Sequence, residues 1–113
     1  MSSGFRIDSV AERVFALRGE LDIEGAPELA RVAGDALARP CDRLVLDCRG
    51  VTFCDSSGLN TLLRLHGQAG RAGARLVLAD VSESMRHVLR LTEVEQVLTL
   101  AETVDEALAP PTP

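Results

Sequence analysis

An aspartate and two serines stand together in the run Asp55-Ser56-Ser57-Gly58. A hydroxyl in that position can be a nucleophile, a helix cap or an acceptor of a phosphoryl group. Nucleophilic catalysis needs a histidine base oriented by an acid. His66 or His87 and several aspartates make a triad formally available. Ser56 is not in a G-x-S-x-G elbow, however. His66 falls at the apolar spacing of one helix and His87 on the polar side of another. A hydrolase is therefore the remote alternative. A cradle for a free phosphate is also disfavoured, because the run is short and carries a carboxylate at the point of approach.

A phosphate attached to Ser56 is a different matter. It would face the start of a helix, whose free N–H groups and dipole stabilise an anion by about 0.3–1 kcal/mol. It would add about −1.5 to −2 of charge beside Asp55 and Asp22, enough to repel a partner docked there. Spacing alone still leaves a plain helix cap the commoner role of such a serine.

Two other groups could do chemistry. Glu20, Asp22, Glu24 and Glu28 put four acids and no base within nine residues. They could pair for acid–base work, form a binding surface, or be a solvated loop and helix start, where acids suit the dipole. Cys41, Cys48 and Cys54 are odd in number and contain no CxxC. They are expected to be reduced, small and buried or half-buried, with no metal site.

Composition narrows the partners. The 113 residues carry a net charge of −5, and all 12 basic residues are arginine. The absence of lysine excludes a phosphate-loop lysine, a Schiff base and a lysine general base. With no Trp, no Tyr and three Phe, bases would find almost nothing to stack on. Nucleic acid is not an expected partner. The longest run without charge is the eight residues from Ser56 to Leu63, against about 20 for a membrane helix. The N-terminus shows no export pattern, so the expected location is the cytoplasm.

The elements follow from periodicity. Phe5, Ile7 and Ser9, then Phe15, Leu17, Gly19 and Leu21, predict an antiparallel hairpin. Leu29, Val32, Ala33, Ala36 and Leu37 form one helical stripe, with Pro27 in its first turn. Leu44–Cys48 predicts a strand covered on both faces, closed by Arg49-Gly50. Leu59, Leu62, Leu63 and His66 predict a second helix, ended by Gly67, Gly70 and Gly73. A strand at 75–79 precedes a third helix capped by Ser82, with Met85, Val88 and Leu89 as its stripe. Val97–Leu100 predicts an edge strand, and Thr103–Glu106 a capping box opening a last helix before Pro110. The order β-β-α-β-α-β-α-β-α predicts one α/β domain over 1–113. Its core runs from about 5 to 108, with a loose tail at 109–113.

The run Asp47-Cys-Arg-Gly-Val-Thr-Phe-Cys-Asp-Ser-Ser-Gly-Leu59 closely resembles the signature of the STAS domain family, the anti-sigma factor antagonists. The resemblance is carried by Asp47, Gly50, Val51, Phe53, Asp55, Ser56, Ser57, Gly58 and Leu59. Gly19-Glu20-Leu21-Asp22 resembles the family's second signature, and the likeness extends over about 5–108. It implies a mixed sheet of four to five strands packed with about four helices. It also implies a non-enzymatic regulator, without a cofactor of its own, that switches partners. Unphosphorylated, such a protein binds an anti-sigma factor that is also a serine kinase, and so releases a sigma factor. The kinase phosphorylates the first serine of D-S-S-G, here Ser56, and a metal-dependent phosphatase reverses the step. Asp55, Ser57 and Gly58 would shape the loop, and Asp22 would lie close by on the kinase-facing surface. A monomer or weak dimer is expected. One departure is the stretch Leu91-Thr92-Glu93-Val94 before the last strand, where many members have a glycine and this chain has Glu93. Branches that lack the phospho-switch suggest the alternative, a constitutive adaptor subunit of a lipid-transport or stress-sensing complex. The lipid-transport type often lacks the phosphoacceptor serine, which is present here as Ser56. The assembly-building type usually carries an extra sensor domain, for which 113 residues leave no space. A third branch, the C-terminal domains of anion transporters, does not fit a chain with no membrane segment.

Overall fold

A computed structural model describes residues 4–109. The hairpin forms as β1 (Phe5–Ala11) and β2 (Val14–Leu21). Then α1 (Ala26–Leu37), β3 (Arg43–Cys54), α2 (Ser56–Arg71), β4 (Arg75–Ala79) and α3 (Glu83–Leu91) alternate. A 3-10 turn at Val94–Gln96, β5 (Thr99–Ala101) and α4 (Val104–Leu108) complete the chain. Strand order in space is the order in sequence. The β1–β2 pair is antiparallel and every other pair is parallel. This is the five-stranded mixed sheet with four helices that the sequence predicts.

Strand residues alternate between two faces, and the two cores follow that alternation. Leu44, Leu46, Leu76 and Leu78 join Leu29, Ala33, Leu62, Leu65, Met85 and Leu89. So α1, α2 and α3 cover one face. Val14, Val45, Val77, Ala79 and Ala101 meet Ala107 of α4 on the other. Arg43 clasps α4 by donating to the carbonyls of Ala107 and Ala109, both at 2.7 Å. The proline-rich segment from 110 lies outside the described residues.

Four elements depart from expectation. The central strand does not stop at Arg49-Gly50 but runs to Cys54. Gly50 lets β2 come close: a Cβ there would stand 2.8 Å from the Leu17 carbonyl. Two register shifts against β2 absorb the irregularity. The second helix passes through Gly67 and Gly70 and ends at Arg71. Each interior glycine costs about 1 kcal/mol, but Leu65 and Ala69 continue the buried stripe. That stripe excludes His66, which is only half-buried. The last strand begins at Thr99, because the 3-10 turn takes up the chain before it and leaves Val97 exposed. The capping box is skewed. Thr103 Oγ1 accepts from Glu106 N as predicted, but Glu106 reaches back to Glu102 N–H.

Candidate functional site

The site lies at the carboxyl ends of β2 and β3. Leu21 and Cys54 are register partners there. One residue further, each strand ends in an aspartate. Asp55 N–H donates to the Leu21 carbonyl at 3.2 Å, which extends the ladder by one bond. The Asp55 backbone is extended, so the chain turns sharply into α2. Its Oδ1 accepts from Ser57 N at 2.9 Å and Gly58 N at 3.2 Å. The helix cap is therefore Asp55, and Ser56 is left as the first helical residue with its side chain exposed.

Asp22 repeats the device on β2. Its Oδ1 accepts from Glu24 N and Gly25 N, both at 3.0 Å, and its carbonyl accepts from Ala26 N. Of the acidic run, Asp22 is thus a half-buried turn former. Glu28 pairs with Arg31 at 2.7 Å, while Glu20 and Glu24 stay exposed. Outside this run, the carboxylates of Asp47 and Asp80 share the guanidinium of Arg49, at 3.0 and 3.5 Å.

Gly58 is buried, and the reason is space rather than backbone angle. A Cβ would stand 2.5 Å from the Leu21 carbonyl oxygen, 2.7 Å from Leu21 Cγ and 3.1 Å from Cys54 Sγ. Ser57 is half-buried beside it, in a groove between α1 and α2 lined also by Ile23, Pro27, Asn60 and Arg64. His66 is ten residues along α2 from Ser56, about 15 Å at 1.5 Å per residue. His87 is exposed on α3. Neither histidine hydrogen-bonds to Ser56 or Ser57, so no triad is assembled.

The Cys48 and Cys54 thiols are not activated. Burial pushes the Cys54 thiol up to about 12, with a smaller contribution from the Asp55 charge. Burial, then the Asp47 charge, also push the Cys48 thiol up. Cys54 and Cys48 are buried and Cys41 is half-buried, as the composition suggested. No group of three or more His, Cys, Asp or Glu side chains is placed to hold a metal ion among the described residues.

Two parts of the site were not visible in the sequence. Beyond Asp47, β3 has no β4 residue beside it. Its open side is held by α3 instead: Ser82 Oγ donates to the Val51 carbonyl at 2.6 Å, and Ser84 Oγ to Thr52 at 3.2 Å. Only the doubling of serines at a helix start hinted at this. The second part is apolar exposure. Ile23, two residues beyond Leu21, is 72% exposed, and Phe53, one before Cys54, is 50% exposed. An isoleucine in the acidic stretch was the available signal for the first.

The match to the STAS domain family spans residues 6–107. The chain belongs to the STAS domain family. A STAS-domain containing protein of Pseudomonas aeruginosa is 33% identical over 90 residues, 80% of this chain and 88% of that one. The crystal structure of an anti-sigma factor antagonist from Mycobacterium paratuberculosis is similar at a TM-score of 0.77 and 26% identity, over 92% of this chain and 89% of that one. The anti-sigma factor antagonist SpoIIAA, in its unphosphorylated form, is similar at a TM-score of 0.71 and 21% identity, over 92% of each chain. The STAS chain described here thus has the fold of the anti-sigma factor antagonists. No helix among its described residues is long and apolar enough to cross a membrane.

Proposed function

We propose that this STAS domain is an anti-anti-sigma factor of the cytoplasm that works by partner switching. In this reading it binds an anti-sigma factor with serine-kinase activity while Ser56 is unmodified, and thereby releases a sigma factor. Phosphorylation of Ser56 ends the complex, and a metal-dependent phosphatase restores it. The chain is the substrate in this cycle and not an enzyme.

The observation that carries the reading is the contrast between Ser56 and its neighbours. Asp55 is engaged by two backbone N–H groups, Gly58 is buried, and Asp22 is tied into its own turn. Ser56 is the exposed serine of the turn, and Ser57 beside it is half-buried. Asp22 and Asp55, each one residue beyond the paired Leu21 and Cys54, would feel new charge on Ser56, Ser57 would lie at the partner surface, and Ile23 and Phe53 would supply apolar area for a partner.

The test is intact mass after incubation with the cognate kinase, ATP and Mg²⁺. One species heavier by about 80 Da, one phosphoryl group, is expected for the natural chain and none for Ser56→Ala. Ser56→Ala should still capture the kinase, and Ser56→Asp should capture it less well. A kinase that binds the chain but leaves its mass unchanged would make it a constitutive adaptor.

A further inference from the structure

Two stripes at helical spacing face each other across the groove between α1 and α2. Ile23, Ala26, Pro27 and Ala30 stand at i, i+3, i+4 and i+7, and the wall they make is apolar. Ser57, Asn60, Thr61 and Arg64 stand at the same spacing on α2, and their wall is polar. The groove has a volume of about 490 Å³, within the range of small-molecule sites. Seven residues of helix make it about 10 Å long. One turn beyond Ala30 and Arg64, Gln68 Nε2 donates to the Gly34 carbonyl at 3.2 Å and ties the two helices together. The groove is stopped at that end, so it suits a small molecule better than a continuous peptide.

The polar wall lacks partners. Thr61 is only 2% exposed. Buried hydroxyls ordinarily find an acceptor. Thr92, at the end of α3, does so by donating back to the Val88 carbonyl at 2.7 Å. Thr61 makes no such bond among the described residues. No described side-chain oxygen that is sealed from solvent lacks a partner, so the unbonded Thr61 hydroxyl opens into the groove it lines. The side chains of Ser57, Asn60 and Arg64 likewise make no hydrogen bond or ion pair among the described residues.

Charge decides what would satisfy them. Arg64 is the one charged residue lining the groove. Glu28, on α1, is already paired with Arg31. Asp22 and Glu24 flank Ile23 at the open end, where a second negative charge on a ligand would meet repulsion. A monoanion meets Arg64 without that cost. The guanidinium fork matches a carboxylate in two parallel bonds. Thr61 and Asn60 stand beside it as further donors, and an aliphatic chain would cover the opposite wall. We propose that the groove between α1 and α2 binds an amphipathic monocarboxylate, with the carboxylate on Arg64 and Thr61 and the chain along Ala26, Pro27 and Ala30. Ser56 does not line the groove, so the site stands apart from the partner switch.

Sodium octanoate, kept below its micelle concentration, is the probe, and amide chemical shifts of the labelled protein are the readout. Saturable shifts along the two walls are expected, with a Kd of about 1 mM or below. Arg64→Gln should weaken binding about tenfold, the loss of one charge-assisted pair. Thr61→Val keeps the shape of the side chain and should weaken binding severalfold. Ala30→Leu should fill the groove and abolish binding, with circular dichroism confirming that each variant folds. Octylammonium, which has the same chain and the opposite charge, should not saturate the site. Ser56→Ala should bind octanoate like the natural chain, so failure of the phospho-switch would leave this site standing. The absence of saturable shifts overturns the proposal. So does unchanged binding in Arg64→Gln or Ala30→Leu, or octylammonium binding as well as octanoate.

Discussion

The Leu21 carbonyl oxygen lies 2.5 Å from the position a Cβ would take on Gly58. That distance sets the sign of a substitution that helix propensity gets wrong. Alanine is about 1 kcal/mol better than glycine inside a helix. Overpacking a tight contact costs about 1–3 kcal/mol. Gly58→Ala should therefore lower stability, measured as a lower urea midpoint, and Gly58→Val should lower it more. A gain with alanine would mean that the β2 backbone yields.

Asp55, not Ser56, caps α2. Asp55→Ala should cost about 0.5–2 kcal/mol, and Asp55→Asn much less, because asparagine caps as well as aspartate. Ser56→Ala is an exposed change and should stay within about 0.5 kcal/mol. Denaturant titration of the three variants checks the assignment.

The helix start has little left to offer a phosphate. The Ser57 and Gly58 N–H groups already serve Asp55. This corrects the expectation that free N–H groups would receive the dianion. Phosphorylated protein should melt no higher than unmodified protein in a calorimetric scan. A rise of several degrees would mean that the phosphate displaces Asp55 from its cap.

Alkaline pH should destabilise the fold. Cys54 is held up to about 12 by burial, from an ordinary value of 9.0, and Cys48 is raised as well. Above pH 9 the unfolded chain loses thiol protons that the native chain keeps, so stability falls as pH rises. The contribution is whole below 9 and is lost progressively toward 12. Urea midpoints should fall through that window for the natural chain, and less steeply for Cys54→Ala.

Glu93 holds a left-handed backbone, with φ of 62°, between α3 and the 3-10 turn. Glycine accepts this angle without the penalty of about 1–2 kcal/mol. It loses part of the gain to its own entropy. Glu93→Gly should stabilise by about 0.5–1 kcal/mol, read as a rise in melting temperature.

The strand and helix alternation was legible because each element has a clean period. Ser82 as a cap and Pro27 in a first turn were legible for the same local reason. Glycines misled. Gly50, Gly67 and Gly70 look like stops, yet the sheet register and the Leu65–Ala69 stripe carry the elements through them. Only tertiary contact decides that. At the site, the D-S-S-G turn was visible, but its division of labour was not. Which side chain takes the helix N–H groups depends on the extended backbone at Asp55, which no spacing encodes. The Ser82 and Ser84 bonds to β3 span about thirty residues of chain and have no local signature.

Those two bonds have an evolutionary consequence. Ser82 and Ser84 grip Val51 and Thr52 by their carbonyls, and carbonyls do not mutate. The side chains of Thr52 and Phe53 are exposed on the strand so held. Thr52, which lies outside the signature residues, could be exchanged without loosening the scaffold beneath it. Paralogues in one cell could thus diverge at that position in whom they recognise while sharing one unaltered turn at Ser56.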